Sequence, residues 1–321
     1  MSVTMKKKTI LSFYCDDTNP YVAPPEAFRK FLDFASSEGI AGESSFIPGY
    51  GCGRHGLISR PSTVVQNDYV EQLRRAFSCG IDTHFELMTH DGVYDFREDR
   101  MTDGAIHEGL WLREPGVTTA EYESYFDAII REAGSIGVLF TGMTEPGCGC
   151  SVCEKRREEL RKSGITDFNP AVWQALLALS RKGRFRGRTV PCFVGTSKEE
   201  CSSVLMAGDS ENGVYDLSPN AEDRFGIWLN DPAQADPDYY ISEDGRSGRL
   251  VELVRAGAPY CIFYCHWQGL NPVNGVGWEA FTRMIDRVHS FLGDEVTWMR
   301  PSQYTDLLLE DGKKKQQQSS E

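Results

Sequence analysis

Short, mostly apolar runs alternate with longer amphipathic stretches along almost the whole chain. Residues 9–14 read as a first buried strand. The segment 24–35 follows as a helix: prolines open it, Phe28, Phe31, Leu32 and Ala35 share one face, and Gly39 ends it. Residues 45–47 form a short second strand. The spacing of Val70, Leu73, Ala76 and Phe77 predicts a helix over 67–79 with Gly80 as its stop, and 82–88 reads as the third strand. Thr118 and Glu121 have the spacing of a capping box for a helix ending at Gly134, and 136–141 reads as a fourth strand. Asn169 and Pro170 cap a helix over 171–182. Further strands are expected at 189–194, 213–217, 260–265 and 295–299, with helices at 247–256, 278–292 and 302–309.

Strand–helix alternation of this kind implies an α/β fold with a mostly parallel sheet joined by right-handed crossovers. Seven or eight strands in a chain of 321 residues favour closure into one barrel. Residues 1–310 are expected to form it as a single domain, with a charged insertion at 91–117 as a lid or substrate wall and a polar, unstructured tail at 311–321. In such barrels the chemistry gathers where strands end and loops begin.

Composition narrows the partners. There are 34 basic and 47 acidic residues, a formal net charge of -13, which argues against nucleic acid and anionic membranes. No apolar stretch has the length of a transmembrane helix, and the run after the basic residues 1–8 is too short for a signal peptide. The 10 cysteines are scattered through strands or clustered at Cys148, Cys150 and Cys153, so the cytoplasm is the expected location. The cluster, with Cys52 as a further candidate, has three readings: a structural zinc, a redox pair, or free thiols shaping a loop. The last is slightly favoured because a fourth ligand cannot be named. A Walker loop, a Rossmann fingerprint and Gly-x-Ser-x-Gly are all absent.

Charged groups do stand at strand ends. Asp16 and Asp17 close the first strand; such a pair is costly to bury unless a cation or proton lies between them, although a solvated turn is the alternative. In the segment 84–90, His84, Glu86, Met88 and His90 share a face if the chain stays extended, and Glu86 meets His90 as an i, i+4 pair if it turns helically. Either way a carboxylate and an imidazole can reach one ion, and mixed oxygen and nitrogen donors suit zinc, manganese, iron or cobalt better than calcium. His84 is equally readable as a core histidine. The run 260–266 ends on His266, a potential proton donor or a buried pocket histidine.

These three segments, in this order, resemble the polysaccharide deacetylases, a family of metal-dependent carbohydrate esterases. The family's Thr-Phe-Asp-Asp-Gly strand end corresponds to Ser12-Phe-Tyr-Cys-Asp16-Asp17-Thr18. Its Gly-x-Glu-Ile-Gly-Asn-His-x-x-x-His motif corresponds to Gly80-Ile-Asp82-Thr-His-Phe-Glu86-Leu-Met-Thr-His90, with Glu86 in the place of the first histidine. Its Leu-His ending corresponds to Cys265-His266. The family's Arg-x-Pro motif is not visible; Thr144-Glu145-Pro146 stands where it is sought. The resemblance implies a distorted (β/α)7 barrel, Asp16 as base, Asp17, Glu86 and His90 as ligands of a divalent ion with zinc first, and His266 as acid. The substrate would be an acylated carbohydrate or similar small molecule, with Trp267 and Trp111 as flat walls and Glu145 as a polar contact. Two alternatives stay open: an inactive barrel that binds without catalysis, and a metal-independent glycoside hydrolase using Asp16 and Glu145. Oligomeric state is left open.

Overall fold

The computed structural model describes residues 8–49, 58, 60–61, 63–102, 106–147, 151–195 and 201–318. Its first half contains β1 (Thr9–Thr18), α1 (Pro25–Glu38), β2 (Gly42–Phe46), α2 (Val64–Ala76), β3 (Ile81–Phe85), the small hairpin β4 (Tyr94–Asp95) and β5 (Arg100–Met101), α3 (Glu108–Trp111), α4 (Thr119–Ser135), β6 (Gly142–Thr144) and α5 (Ser151–Lys162). The second half contains α6 (Pro170–Arg181), β7 (Thr189–Phe193), β8 (Ser202–Gly208), β9 (Gly213–Ser218), α7 (Pro237–Tyr240), α8 (Arg249–Arg255), β10 (Tyr260–His266), α9 (Trp267–Leu270), α10 (Trp278–Leu292), β11 (Val296–Trp298) and α11 (Pro301–Gln318).

The main sheet runs β10-β1-β2-β3-β6-β7-β9-β8, with β11 pairing the first residues of β1. All pairings are parallel except β8 with β9. The helices bury apolar faces on its convex side: Ala27, Phe28, Phe31, Leu32 and Ala35 of α1, and Phe281, Met284, Ile285 and Val288 of α10, join one core. The capping box expected at Thr118 opens α4, and Thr63 with Gln66 makes a second one at the start of α2. A second core fills the concave side, from Tyr14, Phe193, Leu217 and Ile262 down to Tyr304 and Leu309 of α11. The curl is measured by the rings of Tyr14 and Phe193, 4.5 Å apart although β1 and β7 are separated by three strands in the sheet.

The sheet is a half-barrel and not the closed barrel that the alternation suggested. Its path ends at β8, which folds back antiparallel on β9 through a tight turn where Asp209 caps the amides of Glu211 and Asn212. Beyond β9, among the described residues, one isolated bridge, Ala221 to Phe263, reaches β10. Strand β8 was not anticipated. It presents Val204 and Leu205 to solvent, so its pattern lacks the buried face that marks a strand.

Three boundaries also differ. Val138 and Phe140 are buried, but in the turn leaving α4, where the Val138 amide bonds Ala133 and Gly137 takes a φ of 78°; the strand itself starts at Gly142. Strand β3 ends at Phe85, three residues early. Helix α11 continues to Gln318 and takes in most of the segment expected to be an unstructured tail; residues 319–321 lie outside the described residues. The insertion 91–117 carries the β4–β5 hairpin and α3. Among the described residues, no helix is long and apolar enough to cross a membrane.

Candidate metal centre

Parallel register sets the site. In the β1–β10 ladder, Tyr14 faces Tyr264 and Asp16 faces His266. Residues two apart on a strand share a face, so all four side chains lie on one side at the carboxyl end of the sheet. Beyond Asp16 the chain bends sharply: Asp17 has a φ of 65°. Beyond β3 it bends twice more, at Leu87 (φ 52°) and His90 (φ 59°). Left-handed backbone at residues other than glycine costs on the order of 1–3 kcal/mol each and gathers at functional sites. The bends bring Glu86 and His90 together by a route that is neither the extended face nor the helical turn.

Asp17, Glu86 and His90 each offer a ligand atom, and these atoms lie within 4.8 Å of one another. His90 Nε2 is 3.1 Å from Glu86 Oε1 and 3.4 Å from Asp17 Oδ1. The other oxygen of each carboxylate is tied down. Glu86 Oε2 accepts from the Asp17 amide at 3.1 Å and from the Ser45 hydroxyl, and Asp17 Oδ2 accepts from Gln268 Nε2 at 2.9 Å. Burial pulls the His90 ring down, but Glu86 and then Asp17 outweigh it and push the ring up to about 10.

The residues fit a divalent ion. Glu86 Oε1 is buried facing His90 Nε2, two carboxylates and one imidazole converge, and the outer carboxylate oxygens are held by donors, as is common around metal ligands.

The loop carrying His90 is fixed by a residue from the insertion. Fully buried Glu108 accepts from the amides of Met88 (3.0 Å), Thr89 (2.8 Å) and His90 (2.9 Å), and from the Tyr125 hydroxyl. Burial raises it to about 7, against the pull of Tyr125 and those amides. The His107 ring stands edge-on to His90 with centroids 5.9 Å apart, and burial followed by the neighbouring His90 lowers it to about 4.

Asp16 is 4% exposed. Its Oδ2 accepts from the Tyr264 hydroxyl at 2.8 Å and lies 3.4 Å from that of Tyr14, while Oδ1 has no donor. Burial, then Glu86 and Asp17, raise Asp16 well above the usual carboxylate range. His266 Nε2 is 2.8 Å from the Tyr264 hydroxyl, and Nδ1 is 2.8 Å from Asp223 Oδ2.

The remaining candidates fare differently. Trp267 is 1% exposed and packs edge-on against Phe28 and Phe31, so it is a core residue and not a sugar wall. Trp111 is half-buried against Tyr122 and Tyr125. Glu145, at the end of β6, pairs with Arg113 and accepts from the Gly195 amide at 2.9 Å, so both its oxygens are engaged. His84 is a core histidine: it stacks on Phe193, meets Thr144 Oγ1 at 3.3 Å, and is held neutral by burial, which lowers it to about 3. Cys153 is buried and disulfide-bonded, which overturns the free-thiol reading at that position; Cys52, Cys148 and Cys150 lie outside the described residues. Sequence reasoning missed Tyr264, Asp223, Gln268 and Glu108. Only Tyr264 left a signal, as a polar-tipped residue two before His266 on the same strand.

No protein-family model matches the chain, and no curated protein matches it. Among solved structures, a T48 deacetylase determined with substrate is similar over 93% of this chain and 90% of its own, with 10% identity and a TM-score of 0.41. The exo-β-1,4-mannosidase Op5Man5 from Opitutaceae bacterium strain TAV5 is similar over 80% of this chain and 52% of its own, with 12% identity and a TM-score of 0.30. The β-glycosidase BGL167 is similar over 87% of this chain and 76% of its own, with 13% identity and a TM-score of 0.30. At these scores the likenesses are too distant to carry a functional conclusion.

Proposed function

We propose that this chain is a metal-dependent hydrolase that removes an acyl group, acetyl first, from a carbohydrate-like substrate. The observation that carries this reading is the convergence of Asp17, Glu86 and His90 beside the register pair Asp16 and His266. A ligand set, a base and an acid then occupy one strand-end cluster, as acyl hydrolysis requires. The substrate class follows from the resemblance of the three motif segments to polysaccharide deacetylases.

Asp17, Glu86 and His90 would hold the ion, with zinc the first candidate for this nitrogen and oxygen donor set. When bound, a divalent ion would polarise the acyl oxygen and the attacking water and would offset part of the negative charge of Glu86 and Asp17 beside Asp16. Asp16, through its unpartnered Oδ1, takes the proton from the water. Asp223 orients the His266 ring, and His266 protonates the departing amine or alcohol. Ser45 and Gln268 hold the outer carboxylate oxygens and so fix the ligand geometry.

Metal analysis of the purified chain tests the reading. Wild type is expected to carry about one divalent ion per chain, and Asp17→Ala and His90→Ala little. Equal content in all three proteins would remove the site. Asp16→Asn is expected to keep the ion and lose turnover of acetylated sugars; unchanged turnover would refute its role as base.

A further inference from the structure

Asp223, His266, Tyr264 and Asp16 form one unbroken chain of hydrogen bonds, with successive contacts of 2.8, 2.8 and 2.8 Å. Its spacing follows from the sheet: Tyr264 precedes His266 by two residues on one strand face, and Asp16 is the register partner of His266. The Tyr264 ring is clamped by Tyr14, whose ring lies 4.5 Å away at 14°, and Tyr14 is clamped in turn by Phe193. The hydroxyl therefore has little freedom to turn elsewhere.

A hydroxyl carries one proton, and with His266 Nδ1–H donated to Asp223 that count leaves the chain two arrangements. If Tyr264 donates to Asp16, its oxygen accepts from His266 Nε2–H; with Nδ1–H on Asp223, the ring is an imidazolium and Asp16 is ionised. If Tyr264 donates to His266 Nε2, the ring is neutral and Asp16 carries the proton it donates to Tyr264. The two arrangements hold equal numbers of protons and differ by two hops through one oxygen.

They match the two ends of a hydrolytic turnover. Hydrolysis by a general base and a general acid requires the base ionised and the acid protonated at the start. During it a water O–H bond breaks, the proton goes to Asp16, and the oxygen bonds to the acyl carbon. The C–N or C–O bond then breaks, and the leaving atom takes the proton of His266. The carboxylic acid product retains the second hydrogen of the water and loses it to solvent after release. Asp16 is left protonated and His266 neutral, which is the second arrangement. We propose that Tyr264 is a positioning residue that returns the proton from Asp16 to His266, resetting base and acid inside the protein without exchange with solvent. This assignment rests on the hydrolase reading of the same site.

The test needs the full chain with 15N-labelled histidines, in wild type, Asp16→Asn, Tyr264→Phe and the double variant. Asp16→Asn is expected to move the His266 ring resonances in the wild-type background and to leave them in place in the Tyr264→Phe background. Equal movement in both backgrounds, or none in either, would overturn the bridge. In the metal-loaded enzyme, Tyr264→Phe is expected to lower kcat by about 100-fold with KM unchanged, and added imidazole buffer is expected to restore part of the loss. An unaltered kcat, or a loss that no buffer relieves, would also overturn it. Tyr264 touches none of the ion's ligands, so the variant should retain wild-type metal content, and circular dichroism confirms its fold. Wild type that carries the ion but turns over no acylated sugar, amide or ester would sink the hydrolase reading, while the resonance coupling would still report on the bridge.

Discussion

At the residue scale the proposed metal site depends on side chains outside the ligand set Asp17, Glu86 and His90. Three bends in left-handed backbone hold Asp17 and His90 in place, and such strain persists only where neighbours over-determine it. Glu108 supplies that constraint for the His90 loop, because one carboxylate receives three consecutive amides. Glu108→Gln keeps the shape but removes one acceptor oxygen and places a carboxamide NH2, a donor, against backbone N–H groups. Its affinity for divalent ions is expected to fall about 10- to 100-fold, the usual effect of losing an outer partner of a metal ligand. Competition against a chromogenic chelator measures it, and wild-type affinity would show that the loop holds its shape unaided.

At the scale of elements, α11 is docked from below by a strand. Asp82 of β3 accepts from the Ser302 amide at 2.8 Å and its hydroxyl at 2.9 Å, so a distant carboxylate caps this helix start. Burial raises Asp82 to about 6, against the opposing pull of Ser302 and Arg300. The folded state therefore binds the proton more tightly than the unfolded chain between about pH 4 and 6. Stability from this group is present below that window and is lost as pH rises through it, by on the order of 3 kcal/mol. Urea titrations of wild type and Asp82→Asn across pH 4–7 should diverge by that amount, with wild type the one that weakens. A constant difference would mean that Asp82 titrates normally.

The whole molecule is held in its curl by a column of rings on the concave side. Phe193 stacks on Tyr14 at 4.5 Å and on His84 at 5.5 Å, joining β1, β3 and β7 where backbone pairing alone would let them splay. Phe193→Ala is expected to cost about 3–5 kcal/mol in chemical denaturation. It should also lower metal affinity, since Glu86 and Asp17 leave the strands that the column spaces. A loss below about 1 kcal/mol would show that the curl is set by the sheet's own twist. Addition of zinc should raise Tm in wild type and leave Asp17→Ala unmoved, because an ion bound only to the folded state stabilises it by mass action.

Much of this was legible in the residues alone. Helices α1, with its left-handed stop at Gly39, and α4, with its capping box, fall within three residues of the reading because local periodicity and end chemistry specify them, and α10 falls where its apolar face alone places it. The pairing of Asp17, Glu86 and His90 was also legible, since strand ends carry uncompensated charge that a core does not tolerate. Register, curl and long-range hydrogen bonds were not. Nothing local in Glu108, Asp223 or Gln268 distinguishes them from surface residues, and Trp267 looked like a sugar platform until its neighbours Phe28 and Phe31 enclosed it. The order of apolar and polar residues determines which segments are helix or strand and which face each one buries, since those are properties of a few adjacent residues. Which strands become neighbours, whether the sheet closes, and which side chains meet at its mouth were decided only by the folded chain, because they depend on contacts between residues up to some 250 positions apart.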